Sequence, residues 1–125
     1  MASAAILSLC KSWLSDKGIL LTAVPNKNSL HRQAALEMGL LSKLDDFSEK
    51  DKRHGHRRVF GKDEFESIFA EVNLAILKSG GYWLKPLSDD QIESQWTPEI
   101  IHAYFRIGEK YPEIAAELYV IAGKP

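Results

Sequence analysis

Apolar residues recur along this chain mostly at helical spacing, and glycines, prolines and capping residues cut it into short segments. Ile6, Leu7, Cys10, Trp13 and Leu14 follow the i, i+3, i+4, i+7 rhythm of one buried stripe. They predict a helix from a Ser3 cap to about Asp16, stopped by Gly18. Residues 19–24 form a short apolar run that periodicity leaves open between a buried strand and a helical turn. Pro25 and Asn26 mark a turn, after which Asn28 or Ser29 caps a second helix through about Met38, followed by Gly39. Leu40, Leu41, Leu44 and Phe47 predict a third short helix or an ordered loop.

Further along, Phe65, Ile68, Phe69, Val72, Ala75 and Ile76 form the buried face of a helix predicted over 62–78. Asp63, Glu64 and Glu66 suit its positive N-terminal end, and Gly80 with Gly81 ends it. Residues 82–84 read as extended. Ser88 and Gln91 have capping-box spacing for a short helix reaching about Gln95. Thr97 followed by Pro98 opens a helix to about Lys110, and Pro112 opens a last one using Ile114, Leu118, Tyr119 and Ile121 before Gly123. Val59 and Phe60, between Gly55 and Gly61, are β-prone. The expected fold is therefore mainly α, a single compact domain of five or six helices spanning 1–125, with a small β-hairpin near residues 56–60 and 82–85.

Composition places the chain among globular domains: 125 residues, 45% hydrophobic and 26% charged. The single cysteine, Cys10, excludes an internal disulfide framework, and no apolar run approaches the ~20 residues that span a bilayer. Lys11 follows the apolar N-terminal stretch instead of preceding it, which argues against a secretory signal and for a cytoplasmic location without membrane contact. Net charge is −1, but unevenly distributed. Residues 1–49 are neutral, residues 50–62 carry six basic side chains against one acidic, and residues 63–125 carry five basic against eleven acidic.

The basic stretch supplies the main functional expectation. Lys50, Lys52, Arg53, Arg57, Arg58 and Lys62 offer the concentrated positive charge that a DNA or RNA phosphate backbone attracts. Upstream, Ala35, Gly39 and Leu40 have helix-turn-helix spacing, and Gly55-His56-Arg57-Arg58-Val59-Phe60 follows where a basic wing would lie. Together with the helix from Asp63, these residues loosely resemble winged helix-turn-helix regulators of the MerR kind. The resemblance covers about 50 residues, assigns no family, and implies a DNA-contacting wing. It departs from the pattern at Asp45, where a recognition helix buries an aliphatic residue, and in a long polar spacer.

A second expectation is a protein–protein interaction module, an adaptor or inhibitor. Asp89, Asp90 and Glu93 would meet a basic protein partner, and Tyr104 and Phe105 would supply an apolar contact or a homodimer face. Signatures of a P-loop, a dinucleotide site, a nucleophile elbow and a zinc protease are missing from the sequence. Of histidines 31, 54, 56 and 102, His54 and His56 offer one possible pair, but His31, His102 and Cys10 sit on different elements, short of the three or four convergent ligands of a zinc site. No cofactor and no metal is expected, and the chain reads as a non-enzymatic regulatory protein.

Overall fold

The run at 19–24 is a strand, β1 (Ile19–Pro25), in the computed structural model, which describes residues 2–44 and 59–125. Two further strands, β2 (Ala75–Tyr82) and β3 (Glu117–Gly123), complete a sheet of order β1-β3-β2, with both pairings antiparallel. The helices are α1 (Ala2–Trp13), α2 (Leu30–Glu37), α3 (Lys62–Glu71), α4 (Asp89–Glu93) and α5 (Pro98–Lys110), with a 3-10 turn at Pro112–Ile114. Of the described residues, 45% are helical and 22% are in strands, so the fold is α/β and the mainly α expectation is wrong.

Two predicted helices hide strands. The helix expected over 62–78 ends at Glu71, where Asn73 takes a left-handed φ of 56° and turns the chain into β2. Gly80 and Gly81 then lie within β2 and do not stop a helix. The last predicted helix is β3. Ile114, Leu118 and Ile121 satisfy helical spacing, but Leu118, Val120 and Ala122 also alternate strictly, and all three are buried. The expected hairpin of 56–60 with 82–85 is replaced by pairing of β2 with β3. Phe60 makes an isolated parallel bridge with Asn26, residues 83–85 are outside any strand, and 56–58 lie outside the described residues.

One face of the sheet carries the main core. Leu118, Val120 and Ala122 pack there with Leu7 of α1, with Phe65, Ile68 and Phe69 of α3, and with Phe60 and Leu74. Phe69 is fully enclosed and meets Phe65 edge-on at 5.3 Å. The buried side of α1 carries Leu7 and Ala4, continued by Leu14 just beyond its end, whereas Ile6 and Trp13, expected inside, are exposed. A smaller cluster of Trp83, Ile92 and Ala116, flanked by Tyr104 and Trp96, anchors α4 and α5. Ser3 lies within α1 and Ser29, at the start of α2, makes no capping side-chain bond, but the two later caps behave as their sequences require. Thr97 accepts a hydrogen bond from the Ile100 N–H, and Gln91 accepts one from the Ser88 N–H at 3.1 Å.

A polar link ties α3 to β2. Lys62 donates to Glu66 at 2.7 Å, and Ser79 donates to the other Glu66 oxygen at 2.7 Å. Burial pushes the Glu66 carboxyl up, but the hydrogen bonds from Lys62 and Ser79 outweigh it and hold it below its ordinary value of about 4.5. The bond to Glu66 in turn raises Lys62. A lowered carboxyl stabilises the fold above its unfolded-state pKa, and that contribution is lost as pH falls through the folded value. Glu66→Gln should therefore be less stable than the wild type at neutral pH, and the gap should close below about pH 4.5. Urea midpoints measured across that range test this, and a pH-independent gap would contradict it.

Candidate functional site: an apolar cleft on the outer face of the sheet

Alternation along the strands sends a second set of side chains to the other side of the sheet. Leu21 stands opposite Ile121, and Ala23 opposite Tyr119. An irregularity between Ile76 and Lys78 shifts the register of β2, leaving Leu77 exposed and placing Lys78 opposite Ile121. These residues, with Tyr82, floor an open cleft of about 910 Å³. Pro98, Ile101, His102, Phe105, Arg106 and Glu109 of α5 form its wall. The interior is apolar; the charged lining residues are Lys78, Arg106 and Glu109, with the His102 imidazole as a further polar group. Burial first, and then the nearby Glu117 charge, raise the Tyr82 phenol, so it stays neutral.

The wall is held rigidly against the sheet. The Trp83 N–H donates to the Phe105 carbonyl at 3.1 Å and the Leu84 N–H to the Tyr104 carbonyl at 2.9 Å. On its other side the Trp83 carbonyl accepts from the Ala116 N–H at 2.7 Å. These three bonds fix Trp83 at a φ of 70°, a strained value for a bulky residue. Phe105 stacks on the Trp83 ring at 4.5 Å and on Tyr82 at 6.2 Å. Gly108 permits this seating, since a Cβ there would lie 2.3 Å from the Trp83 nitrogen.

No protein family matches this chain, and no curated protein does.

The sequence-predicted residues fall in three places. Lys50, Lys52, Arg53, Arg57 and Arg58 lie outside the described residues, as do Asp45 and residues 55–58 of the basic wing of the resemblance; its last two residues, Val59 and Phe60, are buried. Lys62 is described, and its ammonium is engaged by Glu66. Of the helix-turn-helix elements, α2 ends at Glu37, Gly39 takes a φ of 77°, and no helix begins among residues 40–44. Arg32 is buried, with its Nε donating to the Leu44 carbonyl at 3.0 Å, so it belongs to the packing of α2 and not to a basic surface.

On the acidic side, Asp89 pairs with the buried Lys85 at 2.8 Å, while Asp90 and Glu93 are exposed on α4. Tyr104 packs inward on Trp96 at 4.7 Å. Phe105 alone of the predicted partner residues lines the cleft. The floor residues Leu21, Tyr119 and Ile121 and the rim residues Lys78, Arg106 and Glu109 have no place in the sequence-based site. The signal for Tyr119 and Ile121 was strand alternation in residues 117–123, and that for Leu21 was the apolar run at 19–24 that periodicity leaves open. Among the described residues, no helix is long and apolar enough to cross a membrane.

Proposed function

We propose that this chain is a non-enzymatic interaction module that receives a polypeptide partner in the cleft between the outer sheet face and α5. The observation that carries this reading is an apolar floor and wall left open to solvent, with Leu21 at 69% exposure and Phe105 at 37%. An antiparallel sheet commonly turns one face to water, but that face then carries polar side chains, whereas here it carries Leu21, Ala23 and Ile121; each Å² of apolar surface removed from water contributes about 25 cal/mol. An open trough suits the apolar side chains of a peptide better than a small molecule, which favours an enclosing pocket. Lys78 and Arg106 at the rim favour an acidic group on that partner. This differs from the basic partner expected from the acidic residues of α4.

Selection from a displayed library of amphipathic helical peptides tests the proposal. The wild type should enrich peptides with apolar residues at i, i+3 or i+4, and i+7, and bound peptide should alter tryptophan fluorescence because Phe105 stacks on Trp83. Phe105→Asp, checked for an unchanged circular dichroism spectrum, should enrich none. Lack of enrichment by the wild type would overturn the reading. Salt-dependent retention on heparin lost on replacing Arg53, Arg57 and Arg58 would then favour nucleic-acid contact through residues 50–62.

A further inference from the structure

The floor of the cleft is the face of a sheet and not its edge. β3 commits its backbone groups to β1 on one side and β2 on the other, so the floor at Tyr119 and Ile121 offers no ladder bonds. An extended guest would find no protein partner there for its N–H and C=O groups, whereas a helix satisfies them internally. The space also has the dimensions of a helix. α5 packs against β2 and leaves the outer side of β3 and β1 open beside it. Two strands make that strip about 10 Å wide, close to the ~10–12 Å diameter of a helix with its side chains. Its apolar floor runs from Ala23 through Leu21 to the exposed Ile19, about 13 Å, or between two and three helical turns.

On the wall, His102, Phe105, Arg106 and Glu109 share one face of α5 at the spacing by which helices pack on one another. The charge there is reversed from its surroundings. Residues 63–125 carry five basic and eleven acidic side chains. The cleft takes Lys78 and Arg106 from the five but only Glu109 from the eleven. Lys27, Lys62 and Lys85 are each paired with a carboxylate of the chain. Among the described residues, neither Lys78 nor Arg106 is in an ion pair, and both are exposed. They line the same cleft from two elements, β2 and α5.

We infer that the guest is a single amphipathic α-helix, laid beside α5 on the outer face of β3 and β1, and that it carries a glutamate or aspartate meeting Lys78 and Arg106. This rests on the cleft being a polypeptide site, and it adds the guest's conformation and charge. The apolar side of the helix displaces water from Leu21, Ile121 and Phe105. Its carboxylate selects it from other helices of similar apolar pattern, because complementary charge gives specificity more than affinity. Glu109, on the same wall, disfavours a second acid beside it.

The probe is a displayed library of amphipathic peptides about 14 residues long, enough for nearly four turns, with Glu, Gln or Lys free at each polar position. The full-length wild type should enrich Glu over Gln at one such position by about fivefold, the scale of ion pairs at a solvated rim. That preference should shrink as salt is raised. Lys78→Glu combined with Arg106→Glu, with an unchanged circular dichroism spectrum, should enrich Lys instead. Mixing the wild type with an enriched peptide should add helical signal beyond that of the separate components. Equal enrichment of Glu and Gln, a Glu preference kept by the double variant, or a gain of strand on binding would each overturn this inference and leave the cleft a polypeptide site. Enrichment of no peptide would overturn both.

Discussion

Gly108→Ala should destabilise the protein by about 3 kcal/mol and loosen α5 from the sheet, although alanine is the better helix former. The propensity gain in a helix interior is about 1 kcal/mol. Against it, the added Cβ would lie 2.3 Å from the Trp83 nitrogen, 2.6 Å from the Tyr82 carbonyl carbon and 2.8 Å from the Leu84 nitrogen. All three are backbone atoms, so no side chain can swing aside. Overpacking of this kind costs about 1–3 kcal/mol or somewhat more. Moving the helix away also lengthens the Trp83–Phe105 and Leu84–Tyr104 hydrogen bonds, at about 1 kcal/mol each. Thermal and urea unfolding measure the loss, and tryptophan fluorescence should change at once as Phe105 leaves Trp83. A variant as stable as the wild type would show that the close seating of α5 is not required.

Asn26→Ala should cost a similar amount, about 3–4 kcal/mol, through buried hydrogen bonds. The Asn26 amide donates to the Glu113 carbonyl at 3.0 Å and to the Ala115 carbonyl at 2.8 Å, and its oxygen accepts from the Asn28 N–H at 3.0 Å. The side chain is 1% exposed, so water does not readily replace it. Each buried group left unpaired costs about 1–3 kcal/mol. Asn26→Asp keeps the acceptor for Asn28 but turns a carboxylate oxygen toward two carbonyls. It should be worse than alanine at neutral pH and less so in acid. Equal urea midpoints for the two variants at neutral pH would contradict the donor role of the amide.

What could be read from the sequence was local. Thr97, Pro98 and Lys110 mark α5 because capping chemistry and proline's missing N–H act within one helical turn. The Ser88–Gln91 pair identified α4 for the same reason. β2 and β3 were misread because their residues satisfy two periods at once. Ala75 and Ile76 continue the spacing of Phe65, Ile68 and Val72, and only the left-handed Asn73 breaks it. The cleft was invisible for a different reason. Leu21, Ile121 and Lys78 meet only because β3 lies between β1 and β2, and the shift at Ile76 and Lys78 chooses which face Lys78 joins. Charge density, the strongest local signal, pointed to 50–62, and of that stretch Lys62 is engaged within α3.

The order of the strands also has a kinetic consequence. β3 occupies the middle of the sheet yet follows every other element in sequence, and Thr22 reaches it across a separation of 98 residues. Neither β1 nor β2 has a neighbour until β3 arrives, so loop closure must be met before any ladder bond compensates it. During synthesis the uncharged β1 waits with both edges bare, whereas α3 and α5 can form as soon as they emerge. The interval before β3 docks is when the chain is most exposed to wrong pairing. Slowing translation between 25 and 117 would prolong it.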